Sequence, residues 1–224
     1  MKYIIMCGGV YRAFQTPRQL TEINGETIVE RTLRLLSECG IKDKDMAISS
    51  NDPVFERFGV RLLRHTNGFL VESNYKVARG YWCDGFYPTA DPVCYLMGDV
   101  VFSPEAIKTI VEYDTDDIMF FGSKRPFSEV YPKKHEEPFA FKVVNTTHFQ
   151  EACRAFRKLA DSGKHWRVPI AWELWFIISG QDPATDLHEL IDDSYIGIND
   201  YTCDIDNEKD IAKIKEAMEA WQTY

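Results

Sequence analysis

Apolar positions along the chain gather into short continuous runs rather than alternating singly with polar ones. The first, Lys2 to Cys7, reads Lys-Tyr-Ile-Ile-Met-Cys and stops at Gly8-Gly9, the pattern of a strand buried on both faces of a parallel sheet. Similar apolar or β-branched runs follow at Met46 to Ser49, Val60 to Leu63, Val93 to Met97, Ile118 to Phe121, Phe139 to Val144 and Tyr195 to Ile198. Between them the spacing becomes helical. From Glu26 to Cys39, residues Ile28, Thr32, Leu35, Leu36 and Cys39 share one face, and Gly40 stands where a glycine ends a helix. Further helices are predicted near Pro53 to Phe58, Asn74 to Trp82, Pro104 to Tyr113, Thr147 to Ala160, Ile170 to Ser179 and Glu208 to Trp221. Strands alternating with helices predict right-handed crossovers and a mostly parallel sheet, an α/β three-layer sandwich. The stretch from Lys124 to Pro138 holds three prolines and mixed charge; it breaks the alternation and predicts an excursion or lid over one end of the sheet.

At 224 residues and 45% hydrophobic, the chain is expected to form one domain over residues 1–224. Its formal charge of -9 argues against broad binding of nucleic acid or an anionic membrane, so an anionic ligand needs a local basic pocket. Six cysteines at wide spacings with no C-x-x-C pair suggest a reduced, cytoplasmic chain. No charged and apolar leader opens the sequence, and no apolar stretch nears the roughly 18 residues of a membrane span. The Asn145-Thr146-Thr147 sequon is therefore expected to be silent.

Ligands of open parallel sheets bind beyond the carboxyl ends of strands, which directs attention to three segments. Gly8-Gly9, with Arg12 and Arg18 close behind, combines bare backbone amides with two permanent cations, a cradle for polyphosphate; an ordinary tight turn with surface arginines is the alternative. The run Val93 to Met97 delivers Asp99 to a strand end, as a metal ligand or as a turn cap before the Pro104 helix. In Cys203-Asp204-Ile205-Asp206-Asn207 the two aspartates point to one side of an extended segment. Asp206 and Asn207 are equally placed to cap the last helix, whose apolar stripe is Ile211, Ile214, Met218 and Trp221.

In this order the three segments resemble the nucleotidyltransferases of the sugar-phosphate, phosphocholine and molybdopterin guanylyl type. Those begin G-x-G-x-R, continue P-K-x-L and G-x-P/T-x-I, and close with D-[IV]-D-T-P-E-D-L. Here Gly8-Gly9-Val10-Tyr11-Arg12 is one residue short and lacks the later glycine, and Pro17-Arg18-Gln19-Leu20 has Arg18 where lysine is usual. The resemblance implies a Rossmann-like nucleotide-diphospho-sugar transferase fold and Mg²⁺ held by Asp99 with Asp206 or Asp204. It implies catalytic roles for Arg12 and Arg18, and nucleotide binding by Gly8, Gly9, Arg12 and Asn74, although Asn74 is also placed as a helix cap.

The implied partners are a nucleoside triphosphate, CTP by preference, and a small phosphorylated acceptor such as a sugar phosphate or phosphocholine, with pyrophosphate released; no nucleic acid or membrane is implied. Lys124, Arg125 and Lys142 are candidates for the acceptor's phosphate. Trp172, with Trp166, Trp175 and Phe176, suggests an aromatic cage for a quaternary ammonium or simple core packing. Two alternatives remain: a glycosyltransferase of the related fold, and a nucleotide-binding relative without catalysis.

Overall fold

A computed structural model describes residues 1–8, 14, 16–65, 70–72, 77–184 and 193–221, with backbone only at 70–72, 77 and 78. In chain order the first half contains β1 (Lys2–Met6), β2 (Glu22–Ile23), β3 (Glu26–Thr27), α1 (Ile28–Glu38), β4 (Met46–Ser49), β5 (Arg61–Leu63), β6 (Leu70–Glu72) and β7 (Val77–Arg79). Next come β8 (Val93–Met97), β9 (Val100–Val101), α2 (Pro104–Glu112), β10 (Ile118–Ser123) and β11 (Pro138–Val143). The last part is α3 (Thr146–Ser162), α4 (Ala171–Ile178), β12 (Tyr195–Ile198), β13 (Cys203–Asp204) and α5 (Glu208–Trp221).

Seven strands form one sheet in the order β12-β10-β11-β8-β1-β4-β5. Six run in one direction, and β11 alone is antiparallel to both neighbours, β8 and β10. Every residue of β8 and β10 is buried, as their unbroken apolar sequences require of strands covered on both faces.

Local sequence sets the helix boundaries. Thr27 and Glu30 form a reciprocal capping box at the start of α1, satisfying two amides that the helix cannot. Ser103 accepts from the Ala106 amide and Pro104 opens α2; Asn145 caps α3. At α5, Asn207 Oδ1 accepts from the Lys209 amide while Asp210 Oδ2 accepts from the amides of Asp206 and Asn207. Asn207 is thus the cap, and Asp206 is left for other contacts. Ile214 and Met218 of the predicted stripe are buried, with Ile211 and Trp221 half-buried beside them.

The helix predicted at Asn74 to Trp82 does not form over its described part. Val77–Arg79 is instead a strand paired with β6, and a short 3-10 turn spans Trp82–Gly85. Gly80, at φ 70°, separates the two in a conformation that ends regular structure. Pro53–Phe58 is likewise a 3-10 turn.

The excursion between β10 and β11 is folded and anchored. Ser123 donates its amide to the Glu137 carbonyl, its hydroxyl accepts from the Glu137 amide, and Tyr131 Oη lies 2.7 Å from that hydroxyl. Asn199, just past β12, accepts from the Ser128 amide and donates to the Pro126 carbonyl. No helix among the described residues is long and apolar enough to cross a membrane.

Candidate active site

The carboxyl ends of β1 and β8 approach closely. The Gly98 amide donates to the Met6 carbonyl at 3.1 Å, and a Cβ on Gly98 would lie 2.4 Å from that carbonyl oxygen. Glycine is required there, and the chain turns at once into Asp99. Beyond it, β9 pairs antiparallel with β13, Val100 opposite Asp204, and the Ile205 amide donates to the Asp99 carbonyl at 3.0 Å. Backbone pairing therefore carries the second acidic segment to the first.

Arg18 joins them. It opens a 3-10 turn, Arg18–Leu20, directly after Pro17. Its Nη1 donates to the Ile205 carbonyl at 2.8 Å and to Asp206 Oδ1 at 3.0 Å, and its Nη2 pairs with Asp99 Oδ2. A guanidinium reaches two carboxylates and a carbonyl because its donors form a rigid fork.

The excursion supplies the rest. Lys133 Nζ lies 2.6 Å from Asp204 Oδ1, 2.7 Å from Asp206 Oδ2 and 2.9 Å from Glu137 Oε1, and its side chain is 5% exposed. His135 Nε2 is 2.7 Å from Glu137 Oε1. One carboxylate oxygen from each of Glu137, Asp204 and Asp206 falls within 4.8 Å of the others. Four carboxylates, of Asp99, Glu137, Asp204 and Asp206, thus face two permanent cations, Arg18 and Lys133, among the described residues.

The crowding shifts the titrations. Burial pushes the Asp99 carboxyl up, against the pull of Arg18. Burial and then Glu137 push Asp204 well above the carboxylate range, with Lys133 opposing. At Asp206 burial also raises the pKa, but Lys133 and Arg18 outweigh it and leave the group below its ordinary value. Burial would lower Lys133, yet Asp204 and Glu137 hold its ammonium well above the ordinary lysine value. The local charge excess is negative, and hard oxygen donors in this number suit Mg²⁺, whose octahedral shell spans roughly 4.2 Å between opposite ligands.

Among the sequence candidates, Arg18, Asp99, Asp204 and Asp206 are brought together, and Gly8 follows β1 at the same end of the sheet. Gly9, Arg12 and Asn74 lie outside the described residues. Lys124 has its ammonium 5.9 Å from the centre of the Tyr195 ring, and Arg125 pairs with Glu136 at 2.8 Å over the Phe127 ring; both belong to the excursion.

Two acceptor candidates are corrected. Lys142 lies at the opposite end of the sheet, where its ammonium caps the carbonyls of Ile110, Val111 and Tyr113 at the close of α2. Because β11 is reversed, the late residues of that strand face the amino ends of its neighbours. Trp172 is 2% exposed and packs edge-on against Phe120, so it is core; Trp175 and Phe176 are buried too, and Trp166 stands apart at 71% exposed. These rings form no cage. Sequence reading passed over Lys133 and Glu137, whose one signal is a lysine and an acid four residues apart in the loop after an apolar strand.

The fold and this strand-end cluster define a Rossmann-like nucleotidyltransferase domain. The chain belongs to the family of the MobA-like NTP transferase domain, whose model matches residues 3–167. That span includes Arg18, Asp99, Lys133 and Glu137; Asp204 and Asp206 come from beyond it. Three solved structures share the fold. The 4-diphosphocytidyl-2C-methyl-D-erythritol synthase of Anaerococcus prevotii superposes with a TM-score of 0.58 at 12% identity, covering 97% of each chain. The inositol-1-phosphate CTP transferase of T. maritima gives 0.55 at 15% identity over 96% of each chain. Rv0371c of Mycobacterium tuberculosis gives 0.51 at 16% identity, again over 96% of each chain. No curated protein sequence matches significantly.

Proposed function

We propose that this chain transfers a nucleoside monophosphate, from CTP by first preference, to a small phosphorylated acceptor such as a sugar phosphate or phosphocholine. The observation that carries the reading is the Arg18 bridge between Asp99 and Asp206, which joins a strand-end carboxylate to a second acidic segment at the end of the sheet where β1 runs into Gly8. The preference for CTP draws on the printed names of two structural neighbours, one a diphosphocytidyl synthase and one a CTP transferase.

In this reaction an acceptor phosphate oxygen attacks the α-phosphorus, the bond from that phosphorus to the bridging oxygen breaks, and pyrophosphate leaves with the electron pair. The protein needs no nucleophile of its own; it aligns the attacking oxygen and neutralises charge on the transferred group. Gly8, Gly9 and Arg12 cradle the triphosphate and Asn74 contacts the nucleoside. Arg18 supports developing charge at the α-phosphate. Asp99, Asp204 and Asp206, with Glu137 added, are the groups to hold Mg²⁺, which when bound supplies further charge neutralisation on the phosphates. Lys124 and Arg125 are kept for the acceptor. A pyrophosphate-release screen over four nucleoside triphosphates and a panel of acceptor phosphates, with and without Mg²⁺, tests this; release with no combination refutes it.

A second reading, nucleotide binding without turnover, rests on Arg18 in place of the family's lysine. It predicts a nucleotide-dependent rise in melting temperature in the absence of any pyrophosphate.

A further inference from the structure

Lys133 and Glu137 come from the excursion, Asp204 and Asp206 from the end of β13 and the turn beyond it, and the four meet at one point. An ammonium has three donors, and here each finds a different carboxylate, at 2.6, 2.7 and 2.9 Å. A small cation surrounded by three carboxylate oxygens is also the arrangement a hard divalent ion seeks. The two cannot share these oxygens, because a divalent ion bound to them would lie against the ammonium with like charge. An exit exists beside the cluster: a cavity of about 380 Å³, with Lys133 and Asp206 on its wall and Pro132, His135, Asn207 and Lys213 around it.

We propose that Lys133 is a displaceable counter-ion, which neutralises Glu137, Asp204 and Asp206 in the metal-free protein and is expelled into the adjoining cavity when a divalent cation takes their oxygens. The inference rests on reading these carboxylates as metal ligands. Lys133 then sets metal affinity by competition: the ion and the Lys133 ammonium contend for the same oxygens, and each weakens the other's hold on them by the same factor. The exchange also moves a positive charge from the carboxylates to the cavity wall, loosening the tie that Lys133 makes between the excursion and the Asp204–Asp206 segment.

The test is a titration of nucleotide-free protein with Mn²⁺, read by the paramagnetic resonance of the free ion. Lys133→Met is expected to bind Mn²⁺ at least tenfold more tightly than wild type, whereas Lys133→Arg, which keeps a competing cation, stays within about threefold of it. In wild type, saturating Mn²⁺ is expected to speed acetylation of Lys133 severalfold by peptide mass spectrometry while Lys134 is unchanged. This second measurement decides the matter if Lys133→Met fails to fold. An unaltered affinity in a folded Lys133→Met, a Lys133 labelling rate insensitive to Mn²⁺, or no Mn²⁺ binding at all overturns the proposal. Neither measurement involves turnover. Absence of pyrophosphate release would refute the transferase reading alone, and Mg²⁺-dependent release with an unresponsive Lys133 would refute the exchange alone.

Discussion

Arg18 and Asp206 stand 188 residues apart in sequence and meet at 3.0 Å, with Asp99 on the other side of the same guanidinium. A lysine ammonium at the end of a flexible stem does not reproduce this planar bridge. Arg18→Lys, although it restores the residue usual in the resembled family, is therefore expected to lower kcat by about 100-fold, the scale of losing one preorganised charge-stabilising donor. Arg18→Ala should lower kcat more than it raises KM. Steady-state kinetics on both variants check this, and a wild-type rate in Arg18→Lys would show that the bridge plays no part in turnover.

Asp99→Asn keeps the shape of the side chain and removes its charge. Turnover is expected to fall by at least about 1,000-fold, by the reckoning that each 1.4 kcal/mol of lost transition-state stabilisation is tenfold in rate. The far-ultraviolet dichroism should be unchanged. A variant as fast as wild type in Mg²⁺ would remove Asp99 from the machinery.

Asn207 and Asp206 are adjacent, yet their substitutions should separate. Asn207→Ala removes the side-chain acceptor of the Lys209 amide and is expected to cost about 1 kcal/mol, or roughly 2–4 °C in melting temperature for a chain of this size, with turnover nearly intact. Asp206→Ala should do the reverse, abolishing Mg²⁺-dependent turnover. Thermal melts and pyrophosphate release, measured side by side, tell them apart.

Glu26 gives a prediction about pH. Hydrogen bonds from Arg34, and after them from Arg31, outweigh partial burial and hold its carboxyl below the ordinary value of 4.5. A carboxyl lowered in the folded state adds stability that is fully present above its unfolded pKa and is lost as pH falls through the folded one. Wild type should therefore lose melting temperature more steeply than Glu26→Gln as pH falls below about 4.5. Parallel curves would show that the Arg34 and Arg31 contacts carry no net weight.

The core was legible in the sequence because central strands covered on both faces, such as β8 and β10, are written as apolar runs, and all seven apolar or β-branched runs, from Lys2–Met6 to Tyr195–Ile198, lie in the main sheet. Direction is not written that way. Phe139 to Val144 reads like its neighbours, and nothing local shows that β11 is reversed, which is why Lys142 read as a ligand and is a helix cap. The region from Asn74 to Trp82 carries apolar residues at spacings that fit a helix, but Gly80 divides it. At the site, Arg18, Asp99, Asp204 and Asp206 could be found because each follows an apolar run or a proline turn. Lys133 and Glu137 could not, since a charged loop has no periodicity and their partners lie some 70 residues away.

The pairing of β9 with β13 has a consequence for the order of events during synthesis. Six of the seven main-sheet strands are complete once residue 143 has been made, and a nascent chain at that stage holds Arg18, Asp99, Lys133 and Glu137. It lacks the segment on which Arg18 and Lys133 close, so their charges have no common partner until residues 203–206 leave the ribosome. A growing chain therefore cannot assemble this cluster early: most of the sheet precedes it by some sixty residues of translation.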